Sequence, residues 1–260
     1  MGLIVKRFSV FLVAAICSLL QVSAQQLNLA NQEKSLAALY KNLLRSFDAG
    51  FDSTSYYSQR FANDMKKTVL GNPGSLTYPF KKLIDNSYCY IASSQDGQFR
   101  IYSWDSWTGG TMHNFEQFFQ YSWQGRVLTQ FPKSQEGDPG NFCSKIFTVM
   151  INSKPYYLAV CNAIYSTKDG SQSLTAYGID SSGKVENVKL FRSNSGDKST
   201  IDLEFDLLSI QSRPERPLAL ITFDEKLIQL SLPLVNVKGE VLSENVKYAL
   251  KNGKFEILDK

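Results

Sequence analysis

The spacing of hydrophobic and polar positions changes once along the chain. Between Gln32 and Asp48 the apolar residues Leu36, Leu39, Tyr40, Leu43, Leu44 and Phe47 recur every three or four positions, with Lys34, Lys41 and Arg45 off that stripe. This is the spacing of an amphipathic helix. Ala49-Gly50 predicts its end, because glycine tolerates the backbone of a helix cap. A second helix is predicted from Asp52 or Ser53, both N-capping residue types, to Leu70. Its stripe is Tyr57, Phe61, Met65 and Val69, and Gly71-Asn72-Pro73-Gly74 stops it. One further helical turn is predicted at Lys81 to Ile84. The two helices predict an antiparallel hairpin that packs on the rest of the chain, since such a unit alone encloses little core.

From Tyr88 onward the pattern becomes that of strands. Turn signals recur between runs rich in Tyr, Phe, Ile, Val and Thr, among them Gln95-Asp96-Gly97, Asn152-Ser153-Lys154, Lys168-Asp169-Gly170, Ser181-Ser182-Gly183 and Asn252-Gly253. Asp-Gly and Asn-Gly favour tight hairpins because their backbones accept positive φ. Ile228, Leu230, Leu232 and Leu234 alternate with Gln229, Ser231 and Pro233, as in a half-buried strand. Roughly 12 to 14 strands are predicted. The fold class is therefore mainly β: an antiparallel hairpin meander behind an N-terminal helical hairpin. A small β-propeller is preferred over a barrel or a sandwich. Ser93 to Asp105, SSQDGQFRIYSWD, resembles the hairpins of TolB-like propeller blades.

The first residues add a compartment. Lys6 and Arg7 precede an apolar run from Phe8 to Leu20, and Val22-Ser23-Ala24 supplies the small residues of a cleavage site. This order is that of a secretory signal peptide. The run is shorter than the ~20 residues of a membrane span. Cys17 follows Ile16 rather than a small residue, so cleavage after Ala24 without lipidation is expected. The predicted organisation is a signal peptide over 1–24, a helical segment over 25–85 and a β-meander over 86–260. No transmembrane segment is expected after cleavage, and the protein is expected in the periplasm or outside the cell.

The formal net charge is +4, of which Lys6 and Arg7 supply two. Basic residues are not concentrated in either later segment, so nucleic acid is not an expected partner. Beyond the signal, Cys89, Cys143 and Cys161 remain. An odd count in an oxidising compartment permits one internal disulfide and one leftover thiol. Cys143 with Cys161 is preferred, because the two flank the predicted turn at Asn152-Ser153-Lys154-Pro155. The alternative is that all three are buried thiols.

Residues 99–123, FRIYSWDSWTGGTMHNFEQFFQYSW, hold all three tryptophans and the one histidine. The block R-I-Y-S-W-D followed by T-G-G-T-M-H resembles one shared by a family of secreted bacterial proteins with no known activity, and Arg213-Pro214-Glu215-Arg216-Pro217 resembles a second shared block. The resemblance covers most of the chain after residue 75. It implies secretion and a β-rich fold, and it transfers no functional residue. By alternation, Arg100, Tyr102 and Trp104 share one strand face, and Phe99, Ile101 and Ser103 the other. Asp105, Thr111 and His113 are candidates to converge on one site, with His113 and Asp105 as the candidate acid–base pair. Trp104, Trp107 and Trp123 are the candidate flat faces for a sugar ring, and Tyr102 is a further ligand-binding candidate. Against this stands burial of the aromatic residues in a core, the usual fate of large rings.

Other signatures are missing. There is no Gly-x-Ser-x-Gly elbow, no Cys-x-x-Cys spacing and no histidine cluster for a metal. No cofactor is expected. Asp202, Glu204 and Asp206 read as a polar strand face, and Glu136 to Asn141 as a solvated turn. Arg213 to Pro217 reads as a rigid corner in which Glu215 pairs locally with an arginine. The leading functional expectation is a secreted or periplasmic non-catalytic protein that binds a glycan or another protein. The alternatives are a hydrolase using His113 and Asp105, and a structural component of the cell envelope.

Overall fold

The computed structural model describes residues 26–47, 50–132 and 137–258. The expected signal peptide, with Cys17, lies outside the described residues, as do Asp48, Ala49 and Glu136. The chain is mainly β, with two N-terminal helices and antiparallel sheets. Helix α1 is described over 26–46, and α2 spans Phe51–Gly71. The predicted cap residues Asp52 and Ser53 do not open α2. Gly50 does, with φ 107°, a value that disfavours a side chain. A 3-10 turn (Pro73–Leu76) and α3 (Lys81–Asp85) lead into the strands.

Fifteen strands follow among the described residues. Strands β1 (Tyr90–Ser93), β2 (Phe99–Asp105), β3 (Phe115–Trp123) and β4 (Arg126–Gln130) form one antiparallel meander. Strands β5 (Phe142–Ile151), β6 (Lys154–Ile164), β7 (Asp169–Ile179) and β11 (Thr200–Asp206) form a second sheet, with β8 (Val185–Asn187) on β7. The third sheet runs β10-β9-β15-β14-β13-β12, with β10 at Gly196–Lys198 and β12 at Thr222–Asp224. In it β9 (Phe191–Ser193) and β15 (Lys254–Ile257) pair in parallel, while β13 is Gln229–Val235 and β14 Val241–Lys251. Among the described residues the sheets close into no barrel. Nor do they show the propeller preferred from sequence, because their sizes are unequal and β8 to β10 interrupt the meander.

Three apolar layers bind these parts into a stack. Leu36, Tyr40 and Leu43 of α1 and Phe61, Met65 and Val69 of α2 pack on Tyr102, Trp104 and Phe118. The opposite face of the first sheet, with Phe99, Ile101 and Tyr121, packs on Ile146, Tyr157 and Ala159 of the second. The second sheet then covers the third through Leu158, Val160 and Leu174 against Leu230, Leu232 and Phe255. All seven residues of β2 are buried as a result.

Polar bonds join helices to sheet. The buried Arg100 donates to the carbonyls of Ser75 (2.7 Å) and Tyr78 (2.6 Å). The buried Glu33 of α1 accepts from the Tyr78 hydroxyl (2.8 Å) and the Lys82 N–H (2.6 Å).

Three expectations change in detail. The register of β13 shifts between Pro233 and Val235, so Leu234 is exposed while Leu230 and Leu232 are buried. Ile228, expected in that strand, lies in the preceding turn with φ 51°. Arg216 donates to the carbonyls of Arg213 (2.9 Å) and Glu215 (2.6 Å) rather than pairing with the Glu215 carboxylate. Asn152 and Ser153 do form a tight turn with positive φ. It places Cys143 directly opposite Cys161, and the two are joined in a disulfide.

Candidate functional site

The loop between β2 and β3 brings Asp105 and His113 together. Asp105 ends β2, opposite Phe115 at the start of β3. Asp105 Oδ2 lies 2.5 Å from His113 Nδ1, and Oδ1 accepts the Trp107 N–H at 2.8 Å. The second bond holds Trp107 at φ 55°, a backbone region unusual for a bulky residue. The His113 ring lies nearly parallel to Phe115 and edge-on to Trp107. The His113 backbone N–H donates to the Ile164 carbonyl (3.1 Å), tying the loop to the second sheet. The imidazole is about one-third exposed, and its Nε2 makes no hydrogen bond among the described residues.

Helix α1 supports this pair from behind. The Trp107 Nε1–H donates to the Tyr40 hydroxyl (3.0 Å), which donates to the Asp105 carbonyl (2.9 Å). Burial pushes the Tyr40 hydroxyl far above the usual tyrosine range, so it stays a donor. Phe47 packs edge-on against Trp107.

The other predicted ligand residues do not join the pair. Trp104 has no exposed surface and packs edge-on to Phe61, so its ring presents no face to a ligand. Tyr102 is likewise buried, stacked on Phe118. Its hydroxyl lies 2.9 Å from the Ser75 carbonyl and 2.8 Å from Gln120 Oε1. For both residues the ligand-facing role is corrected: alternation gave the right face, but the helices cover it. Thr111 is exposed and makes no hydrogen bond to Asp105 or His113. Trp123 sits at the far end of β3, about 26 Å along the strand from Phe115 at ~3.3 Å per residue. There it packs under Gly183 and beside Arg126. Of the residues picked from sequence, Asp105, Trp107 and His113 come together.

Beside them opens a cleft of about 680 Å³ between α2 and the 106–116 loop. Helix α2 contributes Ser55, Gln59, Asn63 and Lys66, the loop contributes Ser106, Thr108 and Asn114, and the start of β3 contributes Glu116. Lys66 bridges the cleft to Glu116 at 2.9 Å. Past that pair the cleft continues into a depression of about 220 Å³ that holds the exposed ring of Phe131. Asn141 Oδ1 lies there, shielded from solvent and without a partner among the described residues.

None of the α2 residues was singled out from sequence. Ser55, Gln59, Asn63 and Lys66 recur at helical spacing, which reads as a solvated face. No group of side chains able to hold a metal occurs among the described residues.

No protein-family model and no curated protein matches this chain.

Proposed function

We propose that this chain is an exported, non-catalytic binding protein whose ligand is a glycan held in the cleft between α2 and the 106–116 loop. The cleft wall carries the reading. It combines hydroxyl and amide side chains from two elements, and the exposed ring of Phe131 lies past the Lys66–Glu116 pair in the adjoining depression. Hydroxyl-rich ligands need that mixture: paired donors and acceptors at the edges, and a flat apolar face for the ring. The volume lies within the ~300–1,000 Å³ of small-molecule sites. Export is supported by the charge and apolar order of residues 1–24, and by the Cys143–Cys161 disulfide, a bond that persists in oxidising compartments.

The test is calorimetric titration of residues 25–260 with a panel of soluble glycans. At least one glycan should bind saturably. Asn63→Ala and Gln59→Ala should each weaken it about 5- to 10-fold, the worth of one hydrogen bond, while Trp123→Ala changes nothing. Absence of binding across the panel removes the glycan reading. The oriented His113–Asp105 pair supports a hydrolase as the second reading. Turnover of ester or glycoside substrates that disappears in a folded His113→Ala variant would put that reading in its place.

A further inference from the structure

A second cleft, of about 550 Å³, lies between the second sheet and the 205–218 segment. Its walls are Tyr90, Phe142, Leu207, Ile210 and Leu218, with Arg216 at the mouth. Two polar side chains of the wall are already engaged, while Ser87 and Gln211 lie exposed and the Tyr90 hydroxyl is unbonded among the described residues. Asn162 donates to Ser144 Oγ (3.1 Å) and accepts from Gln172 (2.8 Å), and Ser171 bonds Tyr165 (3.1 Å). The interior therefore offers an apolar surface. Arg216 is exposed and bonded through Nη1 to two carbonyls, which fix its position and leave the remaining guanidinium donors unused. A guanidinium with free donors matches a carboxylate bidentately.

We propose that this cleft binds a medium-chain aliphatic carboxylate, its tail along Phe142, Leu207, Ile210 and Leu218 and its head on Arg216. Charge complementarity selects the head, and the apolar wall selects the tail. Gly170 shapes that wall. A Cβ at this position would meet Leu207 Cδ2 at 2.8 Å, so the bare backbone is what lets Leu207 lie back against β7. The site is separate from the glycan cleft and stands without it.

Dodecanoate, decanoate and octanoate below their micellar concentrations, with dodecanol as the uncharged control, test the proposal by calorimetry on residues 25–260. One saturable site is expected. Affinity should rise with chain length by up to ~4-fold per methylene, and dodecanoate should bind at least ~10-fold tighter than dodecanol. Gly170→Ala should weaken dodecanoate by pushing Leu207 into the cleft, and Arg216→Ala should erase the difference between acid and alcohol. Asn63→Ala should leave dodecanoate binding unchanged. The proposal is overturned if the unaltered chain shows no saturable binding or does not discriminate acid from alcohol. A folded Gly170→Ala variant that binds as before also overturns it.

Discussion

At the scale of single residues, Asp105 carries more than its place in a candidate acid–base pair suggests. Its two carboxylate oxygens serve His113 and the Trp107 N–H, and its carbonyl accepts from Tyr40. Asp105→Ala strips the partner from the Trp107 N–H and from the one-third exposed His113 ring, so it should cost about 1–3 kcal/mol for the better shielded donor and less for the ring. His113→Ala leaves one oxygen of the buried Asp105 carboxylate without its partner but keeps the Trp107 bond that shapes the loop. Urea unfolding should therefore show a larger loss for Asp105→Ala than for His113→Ala. Equal losses would mean that the carboxylate does not organise the loop. Asp105 and His113 were legible together because eight residues and one loop separate them. Tyr40 was not, since its role depends on packing a helix 65 positions earlier against this loop. Trp104 misled for a related reason: alternation assigns a side chain to a face, and β2 is covered on both.

Among elements, the hairpin from β5 to β6 is the best-anticipated feature, and its turn, register and disulfide belong together. Cys143 and Cys161 are buried and lie 18 residues apart in sequence. The bond should contribute about 3 kcal/mol by restricting the unfolded chain, and its burial should protect it from reductant in the native state. Double substitution of both cysteines by alanine should lower the urea midpoint accordingly, while dithiothreitol added to folded protein should change nothing until unfolding begins. Rapid reduction without unfolding would contradict that burial. The order of the sheets was less legible. Periodicity identifies strands and near hairpins, but β7 pairs with β11 across the β8–β10 excursion, and Phe191 meets Phe255 in parallel. Local patterns hold no information on such distant partners.

At the scale of the whole molecule, the shared aromatic layers set the response to alkali. Burial pushes the hydroxyls of Tyr102 and Tyr177 up to about 12, and those of Tyr40 and Tyr157 are raised as well. In the unfolded chain these groups ionise near 10. Above that pH the unfolded state binds fewer protons than the folded one, so stability falls as pH rises. The contribution is fully present below about pH 10 and is lost through pH 12, at about 1.4 kcal/mol per pH unit for each tyrosine. Urea midpoints should be level up to about pH 9 and then drop steeply, with the buried tyrosines' share of the 295 nm tyrosinate absorbance appearing as a step together with unfolding, above the gradual rise of exposed rings such as Tyr56 and Tyr165. A gradual rise in folded protein that accounts for all 13 tyrosines would show that these rings are not enclosed.

Helix α2, which walls one side of the larger cleft, and α1 before it are also the first part of the described chain to be synthesised. As the polypeptide emerges, the stripe from Leu36 to Val69 is complete before its covering residues, Trp104 and Phe118, have been added. Until then the nascent helical pair carries a bare oily surface with nothing to close over it. Vectorial delivery across a membrane would lengthen that interval, so a holding chaperone on the receiving side should raise the yield of folded protein.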